Sequence, residues 1–425
     1  MRKEKLEDRS DNKATYHHSR MANNNPFLIP NSSFLLAPLL PETRRLLDGI
    51  PALVSKTFPL PGRFRSALPT DVAELSRLLT SDRGERGLSY LGRPGPLSAY
   101  LRYFLPWNLY RLCRLLPGLD IALTANDIIT DLGCGPLTFT AALWISRPDL
   151  RAVPLEFYCI DSGGPILEAG RKFFTALVGG YAFGENATEA SSWKIHTVKG
   201  DITNRRFDTT RVKPAALVCA VNVFNEMYGD ISRGGEGILR RNAEKSARII
   251  EKYASDTASV FVAEPGFPRC GELISLLRGV FLERGRYIVS PCPHDRVCPF
   301  AGKERWCHFA FETKDAPPAL QKLSKAAGFP KERAVLSFLF TGPVTQPEKT
   351  SRMRDDKEET VRIISDSFSL PYNRYGRYCC SGQGPVLLAG EKNAIEKTPS
   401  GALVNVIINK DKRDAKSGAI MAEIL

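Results

Sequence analysis

Nowhere in the 425 residues is there an unbroken apolar run of the roughly 18 that a membrane-spanning helix needs, because Arg or Pro interrupts the most apolar stretches. Nothing here can span a bilayer as a helix. A soluble protein is expected, and a hydrophobic content of 43% is that of a folded one. The N-terminal stretch MRKEKLEDRSDNKATYHHSR lacks an apolar core and mixes acids with bases, so it fits neither a secretory signal nor an acid-poor organellar presequence. A flexible arm over residues 1–35 is expected there. The paired C-x2-C knuckles of structural zinc sites are missing too, and ten cysteines without an export signal do not read as a disulfide framework. Buried thiols, metal ligation or catalysis remain. Cys113, Cys159, Cys219 and Cys270 stand alone in apolar or mixed surroundings and read as core residues.

Acids are in short supply, 46 against 59 Lys and Arg, for a formal net charge of +13. Such a surplus favours polyanionic partners, since each neutralised phosphate releases a counterion. From Pro41 to Leu119 the pattern is helical, and residues 36–122 are expected to form a helical region. In its last segment, SAYLRYFLPWNLYRLCRLLPGL, Pro106 should kink or split the helix. Arg102, Arg111 and Arg114 alternate there with Tyr100, Tyr103, Trp107 and Tyr110, a candidate basic and stacking surface for RNA. The competing reading puts the leucines of this segment on a core and the arginines in water.

Between Asn126 and Pro265, short β-rich runs alternate with helical ones, as a parallel sheet covered on both faces requires. DLGCGPLTF, residues 131–139, falls where the first strand hands over to a helix, and Gly133 and Gly135 let the backbone approach a ligand. Asp161 ends the second strand, where a carboxylate can accept from ribose hydroxyls, and Asp201 follows the third. The third glycine of a dinucleotide loop is absent, and S-adenosylmethionine has no pyrophosphate to cradle. The spacing resembles the first motif of class I S-adenosylmethionine-dependent methyltransferases, with Asp131, Gly133, Gly135, Asp161 and Asp201 in matching positions. The fourth strand ends in AVNVFNEMYGD, without the proline-aromatic motif of nitrogen methylation or the proline-cysteine pair of pyrimidine C5 enzymes. Asn222, Asn225 and Glu226 could orient a base edge, or equally cap the next helix.

After the α/β core the chain reads SPCPHDRVCPFAGKERWCHF, with Cys292, Cys298 and Cys307. Soft thiolates suit zinc or iron-sulfur chemistry. Zinc would have to enlist His294 or His308, whereas a cluster needs a fourth thiol, from Cys379 or Cys380 in YGRYCCSGQG. Taken together, the helical preface, DLGCGP, AEPG, CPHDRVCP with WCHF, and RYGRYCCSGQG resemble the methyltransferase-like family of small-ribosomal-subunit assembly proteins, known from mitochondria and bacteria. The resemblance covers roughly residues 40–390. It implies a protein that engages small-subunit ribosomal RNA and ribosomal proteins, binds S-adenosylmethionine, and holds a four-iron four-sulfur cluster. Cys292, Cys298 and Cys307 match three ligands, and Cys380, which precedes the serine and glycine of its turn, is taken as the fourth. The absence of a presequence suggests a bacterial, cytoplasmic, ribosome-associated member, monomeric off the ribosome.

The expected fold is therefore α/β: a class I methyltransferase-type doubly wound sheet over residues 123–285, behind the N-terminal helical region. A cysteine-ligated, β-containing extension should follow over residues 286–392, and a poorly ordered tail over 393–425. The expected function is that of an rRNA methyltransferase or a methyltransferase-like assembly factor; the alternative is a small-molecule methyltransferase with a structural zinc site.

Overall fold

The computed structural model describes residues 36–80, 90–181, 192–204, 207–228, 236–302, 305–344 and 358–424. The expected arm over residues 1–35 lies outside them. Apolar runs separated by helices give five parallel strands: β1 (Ile128–Leu132), β2 (Glu156–Asp161), β3 (Lys194–Lys199), β4 (Ala215–Val221) and β5 (Ala254–Pro265). Three further strands complete the sheet: two short ones, β6 (Ile288–Ser290) and β7 (Phe309–Glu312), and the longer β8 (Arg333–Thr341). The order is β3-β2-β1-β4-β5-β8-β6, with β7 also on β8, and β8 runs antiparallel to β5. This is a doubly wound, mostly parallel α/β sheet. It extends to Thr341, well past residue 285 where the sequence analysis placed its end, because β8 joins it by antiparallel pairing with β5 across some seventy residues that include the cysteine segment.

Strand order reverses between β1 and β4, so the crevice for a ligand opens at their carboxyl ends. Helices Thr138–Ser146 and Gly164–Tyr181 cover one face and helices Glu236–Glu251 and Pro268–Glu283 the other. The helical preface packs into the first of these layers. Leu47, Leu105, Leu109 and Leu112 share one core with Phe139 and Phe157. The stretch around Pro106 stays helical, but by way of a π-helical segment, Tyr100–Phe104, which accommodates the proline's missing N–H.

The rest of the chain forms a second sheet: β9 (Glu358–Ile363), β10 (Phe368–Leu370), β11 (Arg374–Ser381), β12 (Gly384–Gly390), β13 (Leu403–Arg413) and β14 (Ile420–Ile424). A short helix, Lys392–Glu396, connects β12 to β13. The poorly ordered tail expected from residue 393 is thus a helix and two strands. Val404, Val406, Ile408, Ile420 and Ala422 all point into the second core, a two-residue period that the surrounding lysines hide in the sequence.

One contact holds the glycine loop in place from behind. A Cβ on Gly170 would lie 2.6–2.7 Å from the Pro136 backbone and 2.5 Å from Leu137 Cδ1. In Gly170→Ala this overpacking outweighs the gain in helix propensity, and denaturant unfolding should show a loss of about 1–2 kcal/mol. A variant as stable as the parent would mean that the loop yields freely.

Candidate functional site

The glycine loop leaves β1 in a left-handed backbone, with φ of +61° at Gly133, +53° at Gly135 and 60° at Leu137. Asp161, at the end of β2, ties the loop down: one carboxylate oxygen accepts from Gly135 N–H at 2.9 Å and the other from Gly163 N–H at 2.8 Å. A carboxylate has further lone pairs, so both oxygens retain acceptor capacity toward a ligand. Burial raises the Asp161 carboxyl, against the pull of these N–H groups. Asp131, at 1% exposure, has one carboxylate oxygen without any hydrogen-bond partner among the described residues, and burial pushes its acid up to about 8. Asp201 is exposed at the rim, where one of its oxygens accepts from the N–H and hydroxyl of Thr203 at 2.8 and 2.7 Å.

Opposite the loop stands the turn after β4. Asn222 has a φ of 58°, and its N–H donates to Ala263 O at 2.8 Å. Asn225 is buried, while Glu226 keeps intermediate exposure. Glu264 organises this turn from below: at 1% exposure, it accepts from Phe224 N–H at 2.8 Å and Asn225 N–H at 3.3 Å. Burial pushes its carboxyl up to about 8, although those N–H groups favour the ionised form. Tyr100, from the helical preface, closes the other side, with its hydroxyl 3.8 Å from where a Cβ on Gly135 would stand. Burial raises its phenol, as do the charges of Glu226 and Asp161. Neither Glu264 nor Tyr100 was singled out in the sequence. The AEPG stretch was a visible signal for the first; the second was read as part of an RNA surface.

That RNA surface is corrected by the structure. Tyr100, Tyr103, Trp107 and Tyr110 are all buried. Arg102 donates to Ser98 Oγ at 3.0 Å and to Phe58 O, and Arg111 donates to Asn108 Oδ1 at 2.9 Å. Arg114 pairs with Asp315 at 2.8 Å and lies over the Phe311 ring. Arg102 and Arg111 bond within the preface and Arg114 fastens it to Asp315, so the arginines and the buried rings do not form an exposed stacking surface.

A second cluster of chemistry lies between the two sheets. Cys292 follows β6, Cys298 and Cys307 precede β7, and Cys380 comes from β11 in the other sheet. The thiols act on one another electrostatically: Cys380 feels Cys292, Cys307 and Cys298, and burial raises it and Cys307 well above the usual thiol range. Cys379, one residue earlier on the strand, faces the opposite way, into the core of the second sheet with Ile363 and Val386. Two buried arginines attend the thiols. Arg278 Nε donates to Cys292 Sγ at 3.1 Å, and Arg362 Nε donates to Pro291 O at 2.7 Å. His294 Nε2 is 3.5 Å from Cys380 Sγ, whereas His308 is stacked on Trp306 and contacts its carbonyl. Among the described residues no group of three or more His, Cys, Asp or Glu is gathered as a metal-ion site.

Residues 237–364 match the model of the family described as the mitochondrial small ribosomal subunit Rsm22. The resemblance read from the motifs is to this family. The match begins with the helix before β5 and ends beyond Arg362, so it contains Glu264, Arg278 and the three clustered cysteines, while the glycine loop and Cys380 flank it. No curated protein matches the chain. Among solved structures, the protein YjhP from E. coli aligns at 10% identity and a TM-score of 0.31, covering 56% of this chain and 91% of that one. A methyltransferase from Geobacter sulfurreducens in complex with S-adenosyl-L-homocysteine aligns at 12% and 0.30, covering 56% and 91%. A putative RNA methyltransferase from Pyrococcus horikoshii aligns at 12% and 0.28, covering 59% and 84%.

Glu264 and Asp131 give the site a pH signature. Both acids are raised above their ordinary values of 4.5 and 3.8, so their neutral forms are favoured in the folded state. Their contribution is fully present below about pH 4 and is lost progressively as pH rises to about 8. The melting temperature of the ligand-free protein should therefore fall between pH 5 and pH 8, with a shallower fall in Glu264→Gln. Identical slopes for the two proteins would show that Glu264 is ionised throughout.

Proposed function

We propose that this chain binds S-adenosylmethionine at the Gly133–Gly135 loop, carries a four-iron four-sulfur cluster, and acts on the small ribosomal subunit. It does so as an rRNA methyltransferase or a methyltransferase-like assembly factor. The supporting observation is that one chain carries a glycine loop at the strand-order reversal and a thiol segment between two sheets, with a match to a small-ribosomal-subunit family over residues 237–364, which lie between the loop and Cys380.

The crevice suits the cofactor. The buried Asp131 oxygen without a partner would receive the cationic amine, the Gly133–Gly135 backbone would line the sulfonium chain, and Asp161 and Asp201 would meet ribose and adenine. The bound cofactor supplies an electrophilic methyl group. Asn222, Asn225 and Glu226 stand where a nucleobase edge would be oriented, and Tyr100 with Leu137 screens the loop from water. One observation favours the non-catalytic form of the reading: Asn225, at 4% exposure, turns inward in a turn that Glu264 already fixes.

Cys292, Cys298, Cys307 and Cys380 would hold the cluster, and the cationic Arg278 and Arg362 would offset the charge of its thiolates. The cluster's contribution is cohesion between the two sheets, since one of its ligands comes from the second sheet and three from the first sheet's edge. Of the two histidines that zinc could enlist, His308 is engaged with Trp306 while His294 Nε2 stands 3.5 Å from Cys380 Sγ, so a zinc site would use His294; the small-molecule alternative is weakened by the +13 charge. The partners are small-subunit rRNA and ribosomal proteins. The family's description names mitochondria, which the expectation of a bacterial cytoplasmic protein does not share.

Calorimetry with S-adenosylmethionine tests the crevice. Gly133→Val sets a β-branched side chain at positive φ, where even a Cβ lies 2.7–2.9 Å from Val223, and should abolish binding. Gly135→Ala meets only the Tyr100 hydroxyl at 3.8 Å, so it strains the φ alone and should weaken binding in a protein that stays folded. Unchanged affinity in both variants would remove the cofactor from this loop. With methyl-labelled cofactor and precursor small subunits, label in the RNA that Gly133→Val eliminates identifies the methyltransferase. Co-sedimentation without label identifies the assembly factor.

A further inference from the structure

The second sheet closes on itself. Strand β9 pairs with β11, β11 with β12, β12 with β14, β14 with β13, and β13 returns to β9. All of these pairs are antiparallel except β12–β14, which is parallel, and the one helix of the unit lies between its third and fourth long strands. With β10 as the continuation of β9 past a bend, the ring order is first, second, third, fifth, fourth. That is the Greek-key barrel of the oligonucleotide/oligosaccharide-binding fold, whose ligands cross the outer face of the second and third strands beside the first hairpin turn. Topology alone does not assign a ligand. The side chains beside that turn, on the outer face of β11 and of β10, the continuation of the first strand, do.

Register pairs Phe368 with Gly376 and Leu370 with Arg374, which sets these side chains on the outer face with Tyr378, away from the barrel core that receives Tyr375 and Cys379. Phe368 and Tyr378 lie ring to ring at 5.0 Å, and the Arg305 guanidinium lies over the Tyr378 ring at 4.7 Å. Both aromatic side chains keep part of their surface exposed, with Tyr378 packed on its other side against the first sheet's core so that it backs the Phe368 ring. At the turn between β10 and β11, Tyr372 and Asn373 both have positive φ, at 59° and 56°, and Tyr372 is 96% exposed. A tyrosine in the left-handed region with nearly all its surface in water gains nothing for folding. Close by, Arg374 holds Ala389 O at 3.1 Å and pairs with the exposed Glu423 at 3.3 Å, a surface ion pair that a phosphate can displace. The hairpin between the last two strands adds exposed Lys410, Lys412, Arg413 and Lys416 against Asp411 and Asp414.

We infer that the outer face of β10 and β11 is a binding site for single-stranded RNA, with Tyr372, Phe368 and Tyr378 as stacking platforms and Arg305 and Arg374 as phosphate partners. Aromatic faces that accept any base, edged by guanidinium groups, are the chemistry by which a single strand is held without base pairing. The cysteine segment takes the other end of the same face: Cys380 points outward from β11, and Arg296 donates to Gly382 O at 3.3 Å. A strand lying on the barrel would thus run toward the thiol site. This inference rests on the proposed engagement of ribosomal RNA and narrows it to one module.

The test is fluorescence anisotropy of a labelled 12-nucleotide oligouridine with the full-length chain and with the double variant Phe368→Ala, Tyr372→Asn, in which asparagine tolerates the positive φ. Losing two stacking rings should weaken binding roughly tenfold or more. The slope of affinity against salt should not change, because no cation is removed. Cofactor calorimetry and melting temperature should match the parent. If the double variant binds the oligomer as tightly as the parent, the barrel face is not the site, although the ribosomal reading stands. A parent chain that binds duplex RNA but no single strand overturns the inference in the same way. A parent that binds neither removes both readings.

Discussion

Two guanidinium groups, those of Arg278 and Arg362, are buried beside Cys292, Cys307 and Cys380 where the two sheets meet, and this placement constrains much of the chain around it. A guanidinium does not lose its charge in a protein and is costly to bury without anionic company. Beside Arg362 lie the thiols of Cys292, Cys307 and Cys380, which burial keeps protonated and which would become anionic only as ligands. The same arginine also donates to Pro291 O and to Gly401 O, so one side chain ties the start of the cysteine segment to two parts of the barrel. A bound group that draws thiolates from all four cysteines would turn this costly arrangement into a cohesive one.

The thiol site and the methyltransferase-type crevice share backbone. Glu264 fixes the turn after β4 and ends the buried part of β5; two residues on, Gly266 O accepts from the Trp306 indole at 2.9 Å. Trp306 is next to Cys307, whose carbonyl is in turn held by Ser337 of β8 at 2.8 Å. A Cβ on Gly271 would also run into Trp306, so this ring is packed closely on both sides. Any group that orders the cysteine segment therefore orders the rim of the crevice. The shortest covalent path between the two sites passes through residues the family match covers.

Much of this was legible in the sequence. Strands such as EFYCID, apolar between its terminal acids, and AALVCAV, apolar throughout, read as buried parallel strands, and DLGCGP announces its turn by glycines that the structure finds at positive φ. What escaped was set by partners far away in sequence. Arg114 reads as a surface cation until Asp315 is brought beside it, some two hundred residues later in the chain. Glu264 looks like an ordinary acid at a strand end, and only the N–H groups converging on it reveal a buried brace. The last two strands were missed because lysines and an asparagine interrupt their apolar period, and the closure of the barrel by β13 and β14 is a long-range pairing that no local pattern records. Of the cysteine doublet, the sequence reasoning favoured Cys380, and strand alternation sends that side chain toward the other thiols.

The central claim, that Cys380 and the three thiols of the 292–307 segment share one bound cluster, is tested most directly by iron and acid-labile sulfide analysis of protein kept anaerobic from lysis onward. The account predicts about four irons and four sulfides per chain in the parent and in Cys379→Ser, and their loss in Cys380→Ser. Stoichiometric zinc without iron in the parent, or full iron retention in Cys380→Ser, would contradict it.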